Sequence, residues 1–540
     1  MRSLSKVIAG LFLLVSVSWA DEEHHHALTE QEVGSVQFGT SCSKDVAASF
    51  NRAVALLHSF QYEQSRQAFT QISKEHPECA MAQWGIAMSH YHGLWDNGDL
   101  AAGGRALRKA QQIAAANLST TERENAYIGA LAEIYQEDGK DKTAHAQAFE
   151  QKMGALQQAF PDDSEAAIFH ALSLAITAPK TDKTFANQRK CGEILEPILA
   201  KQPHHPGIAH YLIHCYDNPV LAEKGLAAAR MYAKIAPTSA HANHMPSHIF
   251  TRVGSWEESI SSNVKSAELA TQDEAASATG EARDQRLHAM DYLEYAYLQS
   301  GRVSQAKAVL DEMNSLKPVP GLSLTGGYAN AAIPARYALE RGDWQAANTL
   351  QAASDTVPWA QAITWMAIGI GSVRRGKLDG AAQAEHTLVT LRDSAAGQSQ
   401  YWSNQIEVQR REVAAWIAEK NGKTSDAITS VRSAAELEES MDKHAVTPGA
   451  IIPAREMLAE LLLLHHRADE SLVEYQAVLK IAPNRFNALY AAAKAAEASG
   501  NAAAANQYFQ KLTEIAVGDE RPELVAARKK IASTERSSVQ

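Results

Sequence analysis

The sequence predicts an all-α solenoid, a superhelix of stacked helix-turn-helix units, and three observations predict it. Ala and Leu recur at helical spacing along nearly the whole chain, and no stretch alternates as a strand does. Gly recurs between the periodic segments, in "QSGRVSQA", "ERGDWQAA", "RRGKLDGA", "KNGKTSDA" and "ASGNAAAA". Pro recurs at their far ends, at Pro77, Pro161, Pro203, Pro237, Pro318 and Pro483. Gly is favoured just past a helix and Pro stops the next one, so the two punctuate a repeat. At 540 residues the chain is too long for one simple core, which also suits an array.

The elements follow in order. Residues 1–20, "MRSLSKVIAGLFLLVSVSWA", combine Arg2 and Lys6, an apolar run too short to span a membrane, and small residues at Ser18 and Ala20. That is the pattern of a secretory signal peptide, so a soluble, periplasmic or secreted mature protein is expected, with no membrane insertion. Residues 21–45 read as an N-terminal extension and 46–205 as degenerate helical repeats, out of phase after a unit at 46–79. Placing each late Pro at repeat position 32 gives units 206–239, 287–320 and 452–485. Placing the turn Gly at position 15 gives 240–273, 328–361, 362–395, 408–441 and 486–519. Thus 206–320 and 328–519 form two runs of regular units, with a tail at 520–540.

This 34-residue ruler resembles the tetratricopeptide repeat (TPR), in which each unit's apolar face is covered only by its neighbours. The resemblance implies a concave groove lined by positions 2, 5, 9, 12 and 13 of each first helix.

Four cysteines, Cys42, Cys79, Cys191 and Cys215, suit an oxidising compartment. Three pairings are open, Cys42 with Cys79 and Cys191 with Cys215 being the local one, and free buried thiols are the alternative. The net charge of −11, without a basic face, argues against a nucleic-acid partner. No Gly-rich phosphate loop, nucleophile elbow or Ser-His-Asp order is present.

The chemistry concentrates in "HYLIHCYDNP" and "HANHMPSHIF". In the TPR phase, which Pro and Gly set, His210, His214, Asp217, His241, His244, His248, His288 and Asp291 all take groove positions. H-x3-H-x2-D and H-x2-H-x3-H each put three side chains on one helical face. Adjacent first helices then align His210, His244 and Asp291 in one row, and His214 with His248, beside Tyr295, in the next. Converging imidazoles and carboxylates suit copper, zinc or iron, as one ion or two. His210, His214, His244 and His248 are the expected ligands. Asp217, His241, His288 and Asp291 are further ligands or partners that orient the imidazoles. Pro246 is expected to kink its helix.

Filled sites would store or carry metal, and an open position would activate water or oxygen. The alternatives are a groove that binds a peptide or a cell-envelope protein without metal, and a pH-sensitive histidine cluster.

The motifs HY-x-IH and H-x2-HMP-x-HI, with "ECAMAQWGIAMSHYHGLW", "LHAMDYLEYAYLQ" and "HAVTPGAIIPARE", resemble a group of exported bacterial TPR proteins over most of the chain. That group often has Glu where this chain has Asp217, and the resemblance implies architecture and motif but no reaction.

Weaker candidates remain. His24, His25 and His26 read as a polar tail that would at most scavenge metal. Trp84, His92 and Trp95 read as packing rather than a pocket, and His58 as structural. Glu456 and His444 would reach the cluster only if the superhelix curls round.

Overall fold

The computed structural model describes residues 28–539 apart from 96–97, 140, 277–279, 318, 320–321 and 355. The leader-like segment, His24 to His26 and Pro318 lie outside the described residues. The described residues form α-helices and no strand. After the short α1 (Glu30–Val33) come α2 (Ala47–His58) paired with α3 (Tyr62–Glu75), α4 (Ala80–Met88) with α5 (Leu100–Ala116), α6 (Glu122–Ala132) with α7 (Lys142–Ala159), and α8 (Ser164–Thr177) with α9 (Ala186–Leu199). The middle holds α10 (Pro206–Tyr216) with α11 (Ala222–Ile235), the split helix α12 (Ala240–His244) and α13 (Pro246–Val253) with α14 (Trp256–Ala276), and α15 (Glu281–Gln299) with α16 (Val303–Ser315). Then follow α17 (Leu324–Leu339) with α18 (Trp344–Asn348), α19 (Pro358–Arg374) with α20 (Leu378–Ala396), and α21 (Gln400–Lys420) with α22 (Thr424–Glu439). The last are α23 (Ala454–Leu464) with α24 (Ala468–Ile481), α25 (Phe486–Ala498) with α26 (Ala502–Ile515), and a final α27 (Pro522–Val539).

The architecture is an all-α superhelix of TPR-like hairpins. Its punctuation is local chemistry. Gly301, Gly342, Gly376, Gly422 and Gly500 turn between paired helices at φ of 64° to 78°, where a Cβ would crowd the backbone. Pro206, Pro246 and Pro358 occupy first helical turns, where no N–H is needed. The ruler blurs where tertiary packing sets lengths. α15 starts at Glu281, ahead of its unit, and α18 has only five residues. Between 81 and 205, where the units read as degenerate, the chain makes three more hairpins, α4/α5, α6/α7 and α8/α9.

Two disulfides, Cys42–Cys79 and Cys191–Cys215, take the local pairing, with Cα atoms 5.1 and 6.3 Å apart. The second ties α9 to α10 beside His214. One apolar cluster runs from Val33 to Phe250 and others continue to Ala527.

The superhelix winds until its C-terminal hairpins meet its middle. Asn484 donates to the Gly254 carbonyl at 3.0 Å, and the Trp256 indole donates to the Asn484 carbonyl at 3.0 Å. The Val517 N–H reaches the Ser300 carbonyl at 3.0 Å. Buried Arg485 bridges Glu456 and Glu340 at 2.6 Å each. The expected concave groove is therefore closed into a lumen. The connection between α22 and α23, residues 440–453, crosses that lumen as a strap. Its Asp442 N–H meets the Lys180 carbonyl at 2.8 Å, and the Tyr292 hydroxyl donates to the Thr447 carbonyl at 2.9 Å.

Candidate metal centre

Four helices supply six histidines. On α10, His210 and His214 lie one turn apart. Pro246 ends α12 at His244 and starts α13, so the break expected at this proline separates His241 and His244 from His248. α15 adds His288.

The side chains gather into two trios, not into the expected rows. His210, His214 and His241 form one, and His244, His248 and His288 the other. In the first, the Nε2 atom of His210 lies 3.1 Å from that of His214 and 3.0 Å from that of His241. In the second, the Nε2 atoms of His244 and His248 are 3.0 Å apart, and the His288 ring centroid is 4.2 Å from that of His244. The four histidines expected as the principal ligands are thus divided between two sites, each completed by His241 or His288. Within α12, His241 turns to His210 of α10 and His244 to His248 of α13.

The other nitrogens decide what the trios can do. His210 Nδ1 faces the His58 carbonyl at 2.6 Å. His244 Nδ1 faces the Asn263 Oδ1 at 2.7 Å, and the Asn263 amide nitrogen is committed to the Ser259 carbonyl at 2.8 Å, which fixes its orientation. His248 Nδ1 faces Asp217 Oδ2 at 2.9 Å, and His241 Nδ1 faces Gln285 Oε1 at 3.3 Å. The carbonyl, the carboxylate and the fixed Asn263 oxygen can only accept, so Nδ1 of His210, His244 and His248 carries the ring proton and donates, and the placed Gln285 oxygen does the same for His241. A neutral ring protonated on Nδ1 has a bare lone pair on Nε2. Bare Nε2 atoms at 3.0 Å repel unless a cation lies among them. A proton is a poor candidate. Burial, followed by the neighbouring imidazoles, holds His210, His214, His241, His244 and His288 well below the usual histidine range.

Close approach makes this possible. A Cβ on Gly207 would sit 2.6 Å from the His58 ring. Its absence lets α10 approach α2, so that the His58 carbonyl can hold His210. His58 itself, expected to be structural, donates from Nε2 to Glu165 at 2.9 Å and accepts from the Tyr211 hydroxyl at 2.8 Å. His205 donates to the other Glu165 oxygen at 2.8 Å. His58, Glu165 and His205 also converge, but there each close pair is a donor facing an acceptor, so no cation is called for.

The two aspartates do not stand among the ligand atoms. Asp217 holds His248, accepts from Arg252 at 2.8 Å and pairs with Lys443 at 2.9 Å. Burial alone would raise its pKa, yet Lys443, Arg252 and His248 pull it well below the carboxylate range. Asp291, expected in a row with His210 and His244, pairs instead with buried Arg336 from α17. Burial raises the Asp291 carboxyl even so. The groove positions are not open to solvent: His210, His241, His244, His248 and His288 are buried, and the strap and the start of α17 close the cleft they share.

His214 and His241 from one trio, and His248 and His288 from the other, line one cleft with Trp95, Met245 and strap residues 444–446. His444 reaches the cluster because the superhelix curls round, whereas Glu456 is held by Arg485. Trp84 is core, His92 stacks on Tyr62, and only Trp95 of that group enters the cleft. Asn263, Gln285, Tyr292, Arg252 and Lys443 carry no sequence signal, because their spacing to the histidines exists only in the folded chain. On the far side of the strap lies a chamber of about 420 Å³, with Tyr328, Tyr401 and Trp402 in its wall.

No family model matches the chain, and no curated protein is similar to it. Among solved structures, an IFIT1 monomeric mutant with Gppp-AAAA is similar at 11% identity and a TM-score of 0.37, over 88% of this chain and 96% of that one. A human IFIT1 dimer with m7Gppp-AAAA is similar at 11% identity and a TM-score of 0.36, over 86% and 95%. At these values, no statement about what this chain binds follows from either likeness.

Proposed function

We propose that this chain is an exported bacterial TPR-type protein whose closed lumen holds two transition-metal ions, copper, zinc or iron, one in each histidine trio. The observation that carries the reading is the set of Nδ1 donors that leaves bare Nε2 atoms facing each other at 3.0 Å. An ion at each trio turns that repulsion into coordination, and the oxygens behind the rings orient them as partners of metal-bound imidazoles do. The leader-like N-terminus and the two disulfides support export. Among the described residues no helix is long and apolar enough to cross a membrane.

Titration of chelator-stripped protein tests the reading. We expect two equivalents of metal per chain, and one in either the His210→Ala/His214→Ala or the His244→Ala/His248→Ala variant. Proton competition sets the pH limit. The buried imidazoles are neutral well below pH 6.5, so affinity should hold at pH 6 and fall only at lower pH. Equal binding by wild type and both variants would move the metal elsewhere. No binding would favour the second reading, a lumen for a peptide or envelope-protein partner, which the aromatic wall of the chamber supports.

A further inference from the structure

The donor set distinguishes among the three metals. Resting on the reading above, we propose that the trios hold a coupled pair of copper ions that binds one dioxygen molecule in the cleft they share.

Each trio offers three neutral nitrogens and no carboxylate. Asp291 is turned away to Arg336, and Asp217 is engaged by His248, Arg252 and Lys443. A divalent ion in such a site keeps its charge uncompensated in a buried setting, which is costly. A monovalent ion costs less, and of copper, zinc and iron only copper is stable as one. Imidazole and thioether donors suit it, and buried Met245 lines the same cleft. Iron pairs are instead held largely by carboxylates in helical proteins.

Three donors leave each ion an open position. The trios are neighbours: the His214 and His248 rings are 6.1 Å apart, and the His241 and His244 rings 6.3 Å. Histidines of both trios line one cleft, closed by Trp95 and the strap, so the open positions face a common space. The chemistry balances without a proton. Each Cu(I) gives one electron, dioxygen accepts two, and the product is peroxide bridging two Cu(II) ions.

The test loads the chelator-stripped full-length protein with Cu(I) without air, counts the copper and then admits oxygen. We expect two coppers per chain, one dioxygen taken up per pair, a new near-ultraviolet absorption band, and no Cu(II) paramagnetic resonance signal because the two spins couple. The His244→Ala/His248→Ala variant should hold one copper, take up no dioxygen as a bridge, and show an ordinary mononuclear Cu(II) signal once oxidised. His288→Gln, which keeps the buried volume, serves as the second variant if the first does not fold. Two coppers with two independent Cu(II) signals and no oxygen-dependent band would overturn the pair while leaving metal binding intact. Zinc or iron retained against equimolar copper would overturn the choice of metal. Failure to bind any metal would instead sink the reading on which the pair rests.

Discussion

Asp217 shows how much one buried residue connects. It receives the His248 ring proton, pairs with Arg252 and Lys443, and so links α10, α13 and the strap. Asp217→Asn keeps the shape but removes the charge, leaving two buried cations short of a partner. Breaking a buried ion pair typically costs about 3–5 kcal/mol. Urea denaturation of the metal-free variant at pH 7 should show a loss of that order. The pH dependence has a definite sign. The folded-state carboxyl sits well below its unfolded value of about 3.9, so its contribution is present above that value and is lost as the pH falls through the folded one. The wild type should therefore lose stability on acidification more steeply than the variant. Metal affinity should also drop, about 10–100-fold, since Asp217 orients a ligand. An unchanged affinity would mean that His248 is not one.

Among the elements, the strap matters most. Residues 440–453 lie outside any helix and are held by the Lys180 carbonyl and by side chains from the surrounding helices. Tyr292 from α15 ties down the carbonyls of Ala445 and Thr447 at 3.2 and 2.9 Å. Tyr401 from α21 accepts from the His444 N–H at 2.8 Å. The strap separates the histidine cleft from the large chamber, so its opening would join the two. Tyr292→Phe keeps the ring beside His248 and removes only the hydroxyl. We expect a stability loss of about 1–3 kcal/mol, the cost of unsatisfied buried carbonyls. Amide hydrogen exchange should rise in the strap, and a chelator should strip the metal faster. Exchange unchanged in the strap would show that other contacts hold it.

Closure is a property of the whole molecule. Arg485, just before α25, is fully buried between Glu456 of α23 and Glu340, just after α17, joining the last hairpins to the middle of the superhelix. Arg485→Met should leave two buried carboxylates unpaired and cost about 3–5 kcal/mol. Because this arginine fastens the last hairpins to the middle of the superhelix, the variant should also be cut by protease near the α24–α25 turn before the N-terminal hairpins are. Uniform cleavage, or none beyond the wild-type rate, would mean that closure does not depend on this arginine.

The sequence by itself determined the fold class, the turns and the chemistry available. A turn Gly at a left-handed φ, a Pro in a first helical turn and the 3.6-residue period act within one or two turns, so Gly301, Pro206 and the Ala and Leu pattern are readable where they stand. The same locality placed His210 with His214 on one face and marked Pro246 as a break. Tertiary structure alone decided which histidines meet. It put His241 with His210 rather than with His244, gave Asp291 to Arg336, and brought His444 across from residue 444 to line the cleft. Those choices depend on superhelical curvature, a sum of small rotations between units that no single unit encodes. They also depend on burial: a polar side chain inside a closed lumen takes the partner that satisfies it, wherever in the chain that partner lies.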